Sequence, residues 1–141
     1  MINGNNGFER TLGILEKSLS ANVQRKNIIA NNLANVDTPN FKRSDLNFES
    51  ELKRALDYEA SATVHLKANM THERHIPFAT PRMWSEVQAT RRLDYLSEVK
   101  QNGNNVDLDR EVVERAKADR MYDLLTSATR FQFNQVSIVV R

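Results

Sequence analysis

Apolar side chains recur at helical spacing near the start of the sequence, at Phe8, Leu12, Leu15, Leu19, Val23, Ala30 and Leu33. At ~100° per residue they fall within about 80° of one another, a stripe as narrow as a coiled-coil seam. A chain with this pattern must build a long helix and supply it with a partner. Lys26 interrupts the stripe, yet its alkyl stem can lie along a seam while the ammonium reaches water, or it can help set register. Gly13 costs the helix about 1 kcal/mol against Ala. The helix stops where Asn35 can take a left-handed cap and where Pro39 pushes Thr38 out of the helical region.

A second long helix is expected at the other end. Asn102-Gly103-Asn104-Asn105 is a turn signal, because Gly and Asn tolerate positive φ, and Asp107 or Asp109 can cap a helix that starts beyond it. Val113, Met121, Leu124, Ala128, Phe131, Ile138 and Val139 then lie within about 100° of each other, with Lys117, Arg120 and Gln135 intruding. Beyond Met121 a second apolar face is added by Tyr122, Leu125, Phe133 and Val136. Asp123, Ser127, Arg130 and Asn134 hold only the remaining side. A helix apolar over more than half its girth needs neighbours on several sides. The two terminal helices are therefore expected to pair antiparallel, coiled-coil-like, in a mainly α protein, and the apolar surface left over calls for other subunits.

Between them lies a small irregular or β segment. Asn47 can cap a short helix in which Phe48, Leu52, Ala55 and Leu56 share a face, with Glu49 and Glu51 suited to its positive end. Thr63 to Ala68 alternates Val64, Leu66 and Ala68 with Thr63, His65 and Lys67, the period of a half-buried strand. Pro77 and Pro81 keep their surroundings extended, and Met83 to Gln101 mixes periods and defines no element. The expected organisation is a flexible tail over 1–7, a helix and turn over 8–43, a middle segment over 44–102, and a turn and helix over 103–141.

Composition removes several function classes. Lys and Arg number 20 against 18 Asp and Glu, and the basic pairs are scattered among acids without aromatic stacking groups, so nucleic acid is not implied. There is no cysteine, hence no disulfide, thiolate zinc site or nucleophilic thiol. Met1 to Gly7 lacks the basic and apolar regions of a secretory signal, and nothing approaches a membrane-spanning stretch of ~20 apolar residues. His72-Glu73-Arg74-His75 resembles the start of a zinc site. Its histidines, however, are spaced by three and not by four, beside Pro77 and without a third ligand, which favours a solvated or structural loop over a small zinc hydrolase. No nucleophile elbow, Walker loop or dinucleotide fingerprint occurs, so no catalytic residue, metal or cofactor is expected.

Two runs are more specific. Asn32, Ala34, Asn35, Thr38, Pro39 and Phe41 match the form N-x-A-N-x-x-T-P-G-[YF], with Asn40 where that pattern has Gly. Asn is the next best tolerated residue at positive φ. This resembles the N-terminal signature of flagellar axial proteins of the rod and hook. Gly103, Asn104, Val106, Asp107 and Asp109, followed by Glu111, resemble the run G-N-x-V-D-[ML]-D-x-E by which the proximal member of the basal-body rod protein family differs from its relatives. Thr71 and His75-Ile76-Pro77 fit the middle of that member too. The resemblance implies terminal helices lining an axial channel, a small β-containing segment outside them, and export unfolded through the flagellar type III apparatus without a cleaved signal. It implies a periplasmic rod subunit of the basal body, in homo- and hetero-oligomeric contact with other rod subunits and with the MS-ring/rod junction. A soluble helical adaptor or export chaperone, holding a partner helix in its groove, is the alternative from a different class.

Overall fold

The computed structural model describes residues 7–60, 71–72, 74–75 and 83–139. Its five elements, in chain order, are α1 (Gly7–Ala34), β1 (Ser44–Asn47), α2 (Glu49–Ala60), β2 (Thr90–Leu93) and α3 (Leu108–Val139), with one 3₁₀ turn at Trp84–Glu86. They divide into two compact units, Met1–Asn47 with Gln88–Arg141, and Phe48–Val87.

In the first unit α1 and α3, of 28 and 32 residues, pack against each other. At 1.5 Å per residue they are roughly 40–50 Å long. Three contacts fix their antiparallel sense. Asn32 meets Glu111, Lys26 meets Asp119, and Phe8 meets Phe133 edge to face with ring centroids 6.4 Å apart.

Over Phe8, Leu12, Leu15 and Leu19 the apolar stripe is half-buried. Nearer the turn the seam departs from it. Ala21, Asn22, Ile29 and Asn32 are the buried residues of α1, whereas Val23, Ala30 and Leu33 are exposed. This corrects the expectation that the stripe continues as the pair's seam. The cause is polar: Asn32 is drawn inward by hydrogen bonds to Ser44 and Glu111, and the seam shifts by one residue to follow it. On α3 the buried residues are Glu111 and Ala118. Lys26 bridges to Asp119 at 2.7 Å and lies 4.5 Å over the Tyr122 ring, its stem along the pair as a long basic side chain allows.

Beside the pair, β1 and β2 form a two-stranded antiparallel sheet in the register Ser44 to Leu93 and Asn47 to Thr90. Neither strand was expected from periodicity. The strand expected over 63–68 and the flexible tail over 1–6 lie outside the described residues, while Gly7 already belongs to α1.

In the second unit α2 buries Leu52 and Ala55, and Phe48 and Val87 are buried as well, with Leu56 half-buried. Its apolar face is the one the spacing predicts. Asn47 closes β1, and the carbonyl of Phe48 accepts the Leu52 amide at 2.9 Å to open the helix. The acids of the first turn, Glu49 and Glu51, stand where the helix dipole favours them.

Candidate functional site

The turn after α1 is built first from local bonds. The Asn35 side-chain amide donates to the Asn31 carbonyl at 2.8 Å, alongside the Asn35 backbone amide at 3.2 Å, and so reinforces the last turn of the helix. Asn35 thus ends the helix through its side chain, and the expected left-handed cap is corrected: among the described residues the one non-glycine with positive φ is Asn40, at 58°. The Thr38 amide donates to the Asn35 carbonyl at 3.1 Å, and Ala34 and Pro39 are exposed around this bend.

The turn before α3 closes against it. Asn104 is completely buried, and its side-chain amide donates to the carbonyls of Asn35, Val36 and Thr38 at 2.8–2.9 Å. Its own Oδ1 accepts from the Val106 amide at 2.7 Å. The Asn40 amide donates to the Asn102 carbonyl at 3.0 Å, and the Asn105 amide donates to the carbonyl of Phe41 at 3.4 Å. Lys100 reaches the Val36 carbonyl and Asp37 at 2.8 and 3.2 Å. Gly103, at φ 77°, passes so near Asn40 that a β-carbon there would lie 2.7 Å from Asn40 Oδ1. Two runs far apart in sequence are one interlocked structure.

Beneath the turns lies a buried ion pair. The Glu111 side chain is fully buried and accepts from Arg43 Nε at 3.0 Å and from Asn32 Nδ2 at 3.2 Å. Asn32 also pairs with the Ser44 backbone in both directions, at 2.9 and 3.0 Å. The Arg43 amide donates to Asn105 Oδ1 at 2.6 Å, and Asn105 in turn donates to the Asp94 carbonyl. A buried charge is tolerable only when paired and hydrogen-bonded, and here both conditions hold. Asp94 flanks Arg43 at 4.0 Å; hydrogen bonds from Ser97, helped by that from Leu96 and by the Arg43 charge, hold its carboxyl below the usual range. Asp107 caps α3 by accepting from the amides of Asp109 and Arg110 at 3.0 and 3.4 Å.

Sequence reasoning named Asn32, Asn104, Val106 and Asp107, and the structure brings these into one cluster with Asn35, Thr38, Asn40 and Gly103. It placed Asn105 in the turn signal and Glu111 at the end of the family run, but gave neither these nor Arg43 a buried partner. Beyond that run, the signal at Glu111 is an acid in the first turn of a predicted helix, which reads equally well as a dipole contact in solvent.

The remaining predicted residues form a different surface. On α3, Met121, Leu124, Phe131, Phe133, Val136, Ile138 and Val139 are all exposed, from 40% at Val136 to 85% at Val139, while Leu125 and Ala128 are half-buried. Val23 and Leu33 continue exposed apolar surface on α1. Among the described residues no group of three or more His, Cys, Asp or Glu could hold a metal ion, and no helix is long and apolar enough to cross a membrane. His72 and His75 stand with ring centroids 6.0 Å apart, and His72 Nδ1 accepts the Arg74 amide at 3.2 Å.

The site is a helix pair clasped at one end by buried polar groups, with large apolar side chains exposed along α3. The family model for the Flagella basal body rod protein matches residues 14–42, from within α1 through the first turn. Over 136 residues the chain is 36% identical to flagellar basal body rod protein FlgB of Borreliella burgdorferi, covering 96% of this chain and 99% of that one. It is 34% identical to FlgB of Bacillus subtilis over 133 residues, covering 94% and 95%. With FlgB of Escherichia coli it shares 31% identity over 136 residues, covering 95% of each. The chain belongs to the FlgB family of flagellar basal body rod proteins.

Proposed function

We propose that this chain is a structural subunit of the flagellar basal-body rod, polymerising through its terminal helices into the axial drive shaft, and that it has no catalytic role. The observation that carries this reading is the outward apolar surface of α3. Leu124, Phe131 and Ile138 are spaced by whole heptads and share one flank of the helix; Tyr122, Phe133 and Val136 share the other. The single partner helix lies between the flanks and reaches the second only at its edge, where Phe8 meets Phe133 and Lys26 lies over Tyr122, so most of both is left for neighbours. Covering such groups yields roughly 1.5–3 kcal/mol per large side chain, enough over six of them to offset the loss of freedom on association.

The neighbours are other copies of this chain and related rod subunits, with the MS-ring/rod junction at the base, and the site of assembly is the periplasm. The unfolded chain reaches it by flagellar export, without a cleaved signal. Deletion in the native bacterium, followed by electron tomography of the basal bodies, tests the reading. MS rings without rods are expected; complete rods in the deletion strain would overturn it.

A further inference from the structure

Apart from the partly exposed Lys26–Asp119 pair, the seam of the helix pair near the turns contains little that could choose a stagger. Among the described residues its buried members are Ala21, Asn22 and Ile29 on α1 and Ala118 on α3, beside the clasp residues Asn32 and Glu111. Ile29 is the one large apolar side chain in that set, and both polar atoms of the Asn22 side chain are buried without a hydrogen-bond partner. Small residues let helices approach but resist sliding weakly, because no large knob must leave its hole. Directional bonds behave differently, since a displaced buried carboxylate leaves its partners unsatisfied.

We infer that the buried Glu111 carboxylate, held by Asn32 of α1 and by Arg43 beside β1, sets the stagger of α3 against α1. Sliding α3 by one turn moves it about 5.4 Å and takes Glu111 from both partners at once. The rod reading gives the stagger a consequence and is assumed here: Leu124 and Phe131 on α3 reach a neighbour in a fixed relation to Val23 and Leu33 on α1 only if the helices cannot slide. Glu111, which is fully buried and touches no neighbour, would then decide the shape of the surface that does.

Because the chain has no cysteine, paired spin labels can be introduced without background. Two pairs on exposed positions suffice, Gln24 with Asp109 and Ala30 with Asp123. The residue of α3 in the first pair lies toward the clasp from its α1 mate, and in the second away from it. A slide along the axis therefore shortens one distance and lengthens the other. Pulsed dipolar spectroscopy on the full-length chain should show one narrow distance per pair. In Glu111→Leu a second population is expected in both, displaced in opposite senses by about 5 Å, with helical circular dichroism retained. Asn32→Ala, which cuts the clasp from α1 but keeps the Arg43 pair, should do the same to a smaller extent. Unchanged distances in either folded variant would overturn the inference, as would equal broadening of both pairs, which means that the clasp holds the helices together without choosing their register. A variant with altered stagger that still supports normal rods would count against the rod reading and leave the stagger assignment standing.

Discussion

Where α1 meets the start of α3, nearly every group that holds the chain is polar and buried: Asn32, Arg43, Asn104, Asn105 and Glu111. At the far end of the same helix pair the groups are apolar and exposed, with Phe131, Phe133, Ile138 and Val139 all more than half accessible. The usual placement of polar and apolar residues is inverted along one pair of helices. The clasp closes within one chain, since the buried side chains of Asn32, Arg43, Asn104, Asn105 and Glu111 all find partners there, the Ser44 hydroxyl alone being buried without one. The far end is incomplete within one chain, and its unfinished business is apolar. On the proposed rod reading the difference separates residues that make the subunit from residues that join subunits, and substitutions in the two regions should fail in different ways.

The largest effect on the chain itself is expected from Arg43→Met. This leaves the Glu111 carboxylate buried, with Asn32 as its remaining partner, and breaking a buried pair from one side costs about 3–5 kcal/mol. Denaturant unfolding of the purified chain measures it. A loss below about 1 kcal/mol would mean that water reaches Glu111, and the contrast between the two ends would weaken accordingly.

Next come the turn residues. Gly103→Ala adds a β-carbon 2.7 Å from Asn40 Oδ1 at a φ of 77°, so steric conflict and backbone strain together should cost roughly 1–3 kcal/mol. At Asn40, with φ 58°, Gly should be tolerated, whereas Val should cost on the order of 1–2 kcal/mol. The same unfolding assay ranks them. Equal stability of Asn40→Gly and Asn40→Val would show that the turn relaxes to another conformation and that its interlock with Gly103 is loose.

A smaller effect is tied to pH. Hydrogen bonds from Ser97, then the charge of Arg43, favour the ionised form of Asp94 and lower its folded pKa beneath the unfolded value. A depressed carboxylate contributes stability above the unfolded value, near 3.9, and that contribution is lost as pH falls through the lower folded one. Asp94→Asn should therefore be less stable than the parent at pH 7, with the gap closing on acidification below about pH 4. A gap that stays constant down to pH 3 would mean that the charge of Asp94 is not what stabilises the fold, and no gap at pH 7 would assign its role to the backbone carbonyl, which binds Asn105 in either variant.

The same inversion explains what could be read from sequence. Both long helices and their ends were legible, because periodicity over 28 and 32 residues, a proline after one and an Asp cap before the other are local signals. The clasp was not, because Asn32 and Glu111 are 79 residues apart and a polar residue in sequence looks the same whether buried or solvated. The seam was half legible: apolar spacing predicts Val23 and Leu33, while hydrogen bonding to Asn32 turns the helix to bury the residues beside them. A small β segment between the helices was expected and is found, but its strands were not placed, since β2 is exposed at all four positions and so carries no alternation to detect.

The smallest effect on the chain, and the largest on assembly, is expected from Phe133→Asp combined with Val136→Asp. Both side chains are exposed, at 53% and 40%, and surface substitutions away from special features usually stay within about 0.5 kcal/mol. Phe133 does touch Phe8, but edge to face at the outer end of the pair, so little packing depends on it. The unfolding midpoint of the isolated chain should hardly move. On the proposed export route, which takes the chain unfolded, export should continue while rod growth and motility stop. Hydrogen exchange supplies the complement: in a monodisperse monomer the amides of 121–139 should exchange well before those around Asn32 and Val106, because only the latter are closed within one chain. Equal and strong protection at both ends would mean that the far half is already stable by itself, and its exposed phenylalanines would then need a reason other than assembly.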